Sequence, residues 1–102
     1  MYYSNQIAHA GLRINAIKFN FKNPFTWTSG YRMPIYVDNR MFLYYPEYRK
    51  LISKAFMGRI KRRGIEFDIV AGTSTAGISP GTTLADKLKK PLIYIRDKPK
   101  DH

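Results

Sequence analysis

Ile69-Val70-Ala71-Gly72-Thr73-Ser74-Thr75-Ala76-Gly77-Ile78-Ser79-Pro80-Gly81 decides how this sequence is read. It opens as an apolar strand and empties into a loop of glycines and hydroxyl residues. A helix follows, over about residues 80–90. Glycine allows tight turns and close approach of backbone to a ligand. Backbone N–H groups of such a loop, with the positive end of the following helix, form a place for phosphate. Spacing alone fits an ordinary βα turn equally well. No Gly-Lys-Ser/Thr follows, so this is not a Walker loop, and the dinucleotide GxGxxG pattern is also missing.

Downstream, Leu84, Ala85 and Leu88 give the helix an apolar face, Pro91 ends it, and Leu92-Ile93-Tyr94-Ile95 is the next strand. Strand, loop, helix and strand make a βαβ unit with parallel strands. The first strand, read over residues 67–71, suits burial on both faces. Ligands of such sheets bind beyond the carboxyl ends of the strands. The 72–81 loop and the cationic run Arg96-Asp97-Lys98-Pro99-Lys100-Asp101-His102 both lie at that end.

Upstream, residues 46–63 predict a helix. Pro46 suits its first position, Glu47 its positive end, and Lys61, Arg62 and Arg63 its last turn, with Gly64 just beyond. Tyr48, Leu51, Ile52, Ala55, Phe56 and Ile60 form its apolar stripe. Residues 4–18 predict an earlier helix, capped by Ser4, with Ile7, Ala10, Gly11, Ile14 and Ile17 on one face and His9 beside it. Between the helices, residues 25–28 and 34–37 read as two short strands joined by a turn at Ser29-Gly30. Aromatic and basic residues alternate there (Lys22, Arg32 and Arg40 among them), which suits a core or a surface that stacks on bases.

At 102 residues the chain makes one small domain. It has no cysteine, and His9 and His102 stand far apart, so disulfides, thiol chemistry and a zinc signature are excluded. There is no long apolar run and no signal-peptide pattern, so a soluble cytoplasmic protein is expected. Eighteen Lys and Arg against seven Asp and Glu leave a net charge of +11, which favours phosphorylated partners or nucleic acid.

Five stretches, in order, resemble orotate phosphoribosyltransferases. They are Ala16-Ile17-Lys18-Phe19; Phe25-Thr26-Trp27-Thr28-Ser29-Gly30; Pro34-Ile35-Tyr36-Val37-Asp38-Asn39-Arg40; Phe67 through Ile78; and Tyr94-Ile95-Arg96 with Lys98-Pro99-Lys100-Asp101-His102. The resemblance implies an α/β type I phosphoribosyltransferase fold. An N-terminal helix and small β hood would occupy residues 1–45, and a helix with the first part of a parallel sheet residues 46–102, as one incomplete domain. It implies transfer of phosphoribosyl from phosphoribosyl pyrophosphate (PRPP) to orotate, in pyrimidine biosynthesis, with Mg²⁺ carried on PRPP and no protein metal ligands.

By the same resemblance Thr73, Ser74, Thr75, Ala76 and Gly77 form the pyrophosphate loop. Arg96, Lys98, Lys100 and His102 belong to a mobile catalytic loop that binds PRPP, with Lys100 the catalytic residue. That loop would act across a homodimer. Tyr36 and Val37 line the orotate pocket. Thr28 and Ala76 stand where many members carry lysine, which bears on pyrophosphate affinity. The family's later PRPP loop has two adjacent acidic residues, and this sequence has no such pair. The chain is therefore expected to be a truncated part of a longer enzyme, ending inside the catalytic loop and inactive alone. No membrane is expected as a partner, nor is nucleic acid for such an enzyme. Two rival readings are a basic nucleic-acid-binding module and a non-catalytic, phosphoribosyltransferase-like nucleotide sensor.

Overall fold

Val70 to Thr73 and Leu92 to Ile95 are the two strands that the central stretch predicts. The structure, a computed structural model, describes residues 2–101 and divides into two compact units, Met1–Tyr48 and Arg49–His102. In the second unit β5 (Val70–Thr73) and β6 (Leu92–Ile95) pair in parallel, with Val70 beside Leu92 and Thr73 beside Ile95. Pairing starts where the Val70 N–H donates to the Pro91 carbonyl (2.9 Å) and ends where the Ser74 N–H donates to the Ile95 carbonyl (2.8 Å). The strand therefore begins later than residue 67 and runs on to Thr73. Its limits are set by the distant partner strand rather than by its own apolar run.

Helix α3 (Ile78–Leu88) lies on this pair. Leu84 and Ala85 are buried. A Cβ placed on Gly81 would sit 3.5 Å from both the Gly72 Cα and the Leu92 Cδ1, so helix and strand backbones meet closely there. The helix starts two residues before Pro80. That proline occupies the first turn, where a missing N–H removes no helical bond. Lys89, at φ 55 and ψ 47, ends it in the left-handed conformation. Its N–H donates to the Ala85 and Asp86 carbonyls. Just beyond, the Lys90 ammonium stands 5.1 Å from the centre of the Phe67 ring.

Burial along β5 alternates: Val70 and Gly72 are buried, Ala71 and Thr73 exposed. The expectation of a strand covered on both faces is corrected here. One helix covers one face, and Ile69, Ile93 and Ile95 are each about half exposed.

Helix α2 (Pro46–Arg63) has the predicted limits. Gly64, at φ 60, follows it, and the Ile65 N–H reaches back to the Ile60 carbonyl (3.0 Å). Ser53 is buried and its hydroxyl donates to the Lys50 carbonyl (2.9 Å). Phe56, read as part of the apolar stripe, is exposed.

In the first unit α1 (Tyr2–Arg13) ends before the predicted residue 18. Asn15 takes φ 62, and the Ala16 N–H donates to the Gly11 carbonyl (2.8 Å), closing the helix by a left-handed cap. Ser4 accordingly sits inside the helix rather than at its cap, and Ile17 belongs to a strand. His9, beside the apolar face, is exposed. Ala10, Gly11, Ile14, Ala16 and Phe42 are buried.

Strand β1 (Ile17–Phe19) pairs antiparallel with β4 (Ile35–Val37), while β2 (Phe25–Thr26) pairs with β3 (Arg32–Met33). The turn at Ser29-Gly30 is where the sequence puts it, with Gly30 at φ 95. It joins β2 to β3, not to β4. The Trp27 indole N–H donates to the Ile35 carbonyl (2.9 Å), tying the β2–β3 hairpin to the β1–β4 pair. After β4, Asp38 caps a 3-10 helix, Asn39–Tyr44, by accepting from the Arg40 N–H. Among the described residues no helix is long and apolar enough to cross a membrane.

Candidate functional site

Thr73 through Gly77 turn the chain from the end of β5 into α3. The turn is tight because glycine stands at both of its contact points. A Cβ on Gly77 would lie 2.7 Å from the Thr73 carbonyl oxygen and 2.8 Å from the Thr73 nitrogen. A Cβ on Gly72 would lie 2.6 Å from the Gly77 oxygen. Gly77 has φ −81, so bulk rather than backbone conformation demands glycine there. The Ser74–Thr75 peptide bond is cis.

Hydrogen bonds close the turn on itself. The Gly77 N–H donates to the Thr73 carbonyl (2.8 Å), the Ile78 N–H to the Thr75 carbonyl (3.2 Å) and the Gly81 N–H to the Gly77 carbonyl (3.0 Å). The N–H groups of Thr75, Ala76 and Ser79 donate to no described residue. Thr73, Ser74, Thr75 and Ala76 are exposed. A loop with open donors at the start of an eleven-residue helix suits an anion: the donors carry partial positive charge, and the helix dipole adds to it.

Parallel pairing sets what stands beside the loop. Because Thr73 lies level with Ile95, the chain leaves β6 at Arg96 on the same edge where the loop leaves β5. The bond from the Ser74 N–H to the Ile95 carbonyl fixes the two exits together. Arg96, Lys98 and Lys100 are all exposed, and the Arg96 Nε–H makes a long contact with the Lys98 carbonyl (3.4 Å). His102 lies outside the described residues. Tyr36 and Val37 are in β4 of the first unit, both partly exposed, with the Tyr36 ring 5.7 Å from that of Phe25.

Two features escaped the sequence reading. The Ile95 carbonyl, which anchors the loop, is invisible in side-chain patterns. The other is the Asp38–Arg40 pair at the end of β4. Arg40 Nε meets Oδ1 of Asp38 at 2.8 Å and its NH2 meets Oδ2 at 2.9 Å. That hydrogen-bonded guanidinium, above all, holds the Asp38 carboxyl below its usual range, and Asp38 in turn raises Arg40. The signal was present as an acid and a base two residues apart after a strand. Among the described residues no three His, Cys, Asp or Glu side chains gather to hold a metal ion.

No family model matches the chain. Over all 102 residues it is 49% identical to orotate phosphoribosyltransferase from Streptococcus thermophilus, and 48% identical to that from Streptococcus pneumoniae. The chain spans about half the length of these curated relatives, 49% of each. Among solved structures, orotate phosphoribosyltransferase from Aeropyrum pernix superposes with a TM-score of 0.78 at 25% identity, over 94% of this chain and 52% of that one. Similarity in sequence and in fold thus meet in one place: the chain is a relative of orotate phosphoribosyltransferases and has the type I phosphoribosyltransferase fold.

Proposed function

We propose that these residues supply the pyrophosphate-binding half of an orotate phosphoribosyltransferase, which joins orotate to PRPP and releases orotidine 5′-phosphate and pyrophosphate. The observation that carries this reading is the loop 73–77, with open N–H donors, tied by Ser74 to the strand end from which Arg96 departs. The names of the similar proteins supply the substrates.

In that reaction a ring nitrogen of orotate bonds to the anomeric carbon as its bond to pyrophosphate oxygen breaks. Negative charge grows on the leaving group. Donors already aimed at that charge stabilise the transition state without reorganising. Thr73, Ser74, Thr75, Ala76 and Gly77 are the fixed part of that cradle. Arg96, Lys98 and Lys100 are the mobile part, closing over PRPP and excluding water, and His102 would bind PRPP with them. Mg²⁺ would arrive on PRPP oxygens, neutralising phosphate charge, and needs no cluster of protein carboxylates. Tyr36 and Val37 would line the orotate pocket. We assign the enzyme to the cytoplasm and its working form to a homodimer in which Lys100 serves the neighbouring subunit's site.

A chimera tests this. The 102 residues replace the matching segment of the Streptococcus thermophilus enzyme, and loss of orotate absorbance is followed with PRPP and Mg²⁺. Turnover that disappears with Lys100→Ala is the expected result. A folded chimera with no turnover overturns the reading. The chain alone, with no adjacent acidic pair for the ribose 5-phosphate loop, is expected to be inactive.

A further inference from the structure

The parallel pair β5–β6 has two unlike faces. Val70 and Gly72 lie toward α3, where Val70 is buried and Gly72 sits against Gly81. Leu92 turns the same way, its Cδ1 3.5 Å from the Cβ position of Gly81. Side chains alternate along a strand, and the register sets Ile93 beside Ala71 and Ile95 beside Thr73. These four residues therefore share the face turned away from α3. All four are exposed, Ile93 to 52% and Ile95 to 50%. None of them is charged, and only Thr73 is polar.

Two observations select what covers this face. Parallel strands occur almost only in sheets covered on both sides, and α3 covers one side here. A polar or charged ligand finds no partner on isoleucine and alanine, so the cover is apolar polypeptide. The second observation is length. The Streptococcus thermophilus relative matches all 102 residues with 49% of its own chain, and the Aeropyrum pernix structure holds the same fold in 52% of its chain. About half of each relative is thus polypeptide with no counterpart among these residues. We infer that the face formed by Ala71, Thr73, Ile93 and Ile95 seats an apolar element of a segment like that remaining half. The inference rests on reading the chain as one half of such an enzyme, and it names the surface on which the other half sits.

The test compares the full chain alone with the Streptococcus thermophilus chimera. The chain has no cysteine, so Ile93→Cys or Ile95→Cys gives it a single thiol. Maleimide labelling at that position is read by mass spectrometry. In the chain alone both positions should label as fast as Tyr44→Cys, at a residue that is 82% exposed. In the chimera each should label at least about tenfold more slowly than in the chain alone, the protection of a position reached only by local opening. Equal labelling in a chimera that melts cooperatively overturns the inference. If the chimera does not melt cooperatively, the chain and the remaining half of the Streptococcus thermophilus enzyme are co-expressed as two polypeptides. They should co-purify, and Ile93→Asp with Ile95→Asp should prevent it while leaving the circular dichroism of the chain unchanged. Failure to co-purify, or co-purification that survives both substitutions, overturns the inference. So does protection already present in the chain alone with sedimentation as a dimer, which assigns the face to a second copy. Orotate turnover is scored separately: protection without turnover keeps the docking face and counts against the enzymatic reading.

Discussion

Gly77 and Gly30 are both turn glycines, and they show how differently the two units are built. A Cβ on Gly77 would strike the Thr73 backbone, although its φ is ordinary. A Cβ on Gly30 would meet nothing within 4 Å, but its φ is 95. The second unit shapes its loop by close backbone contact, whereas the first shapes its hairpins by local conformation and side chains. A site made of backbone donors needs the first kind of rigidity.

The largest effect should come from a side chain on the cationic segment that follows β6. In the active chimera, Lys100→Ala should lower kcat by about 100- to 1,000-fold, the scale for one lost electrostatic stabiliser, with a smaller change in substrate affinity. Mixing this variant with a subunit defective only in its own PRPP loop should restore part of the activity if Lys100 acts across the dimer. Verified hybrid dimers with no recovery would place Lys100 in its own subunit's site or outside catalysis.

Gly77→Val comes next. It should destabilise the chain by roughly 3 kcal/mol, because the clash is with backbone that cannot move aside. In the chimera it should also raise KM for PRPP more than for orotate. The contrast with Gly30 is sharpened by Gly30→Ala, which should cost about 1 kcal/mol through its left-handed backbone alone. Urea unfolding of both variants reads the difference. Equal costs would mean that the loop is no more tightly built than the hairpin.

Trp27→Phe should cost about 1 kcal/mol, since it removes the hydrogen bond between hairpins and leaves most of the ring. The smallest effect concerns pH. The folded-state pKa of Asp38 is lowered, so its contribution is present above the unfolded carboxylate range and fades as pH falls through the folded value. Both partners are near solvent, so the effect is slight and screened by salt. Comparing Asp38→Asn with the parent chain in acid melts should show the difference shrink toward low pH.

Much of this was legible in the residues. Pro46, Glu47, the basic last turn and Gly64 marked α2 at both ends, because caps are local chemistry. The βαβ order followed from apolar runs separated by a glycine loop and by Pro91. Long-range pairing was not legible. Nothing near residue 35 shows that β4 joins β1 rather than β2, and nothing near residue 67 shows where β6 begins its ladder. Asn15 hid the end of α1, because the apolar spacing from Ile14 to Ile17 continues through it while the backbone reverses. At the proposed site, the sequence read residues 72–81 as a loop between strand and helix whose glycines allow a tight turn or the approach of a ligand. The structure adds a nearer cause, the Thr73 backbone.

The central claim is that residues 73–79 form a backbone cradle for pyrophosphate. Amide chemical shifts of the chain, followed as Mg²⁺ and pyrophosphate are added, test it directly. The account predicts saturable shifts at Thr75, Ala76 and Ser79, the amides without acceptors, with smaller ones at Arg96 and little change along α2. Shifts spread over the α2 lysines and arginines, with the loop amides unmoved, would contradict it.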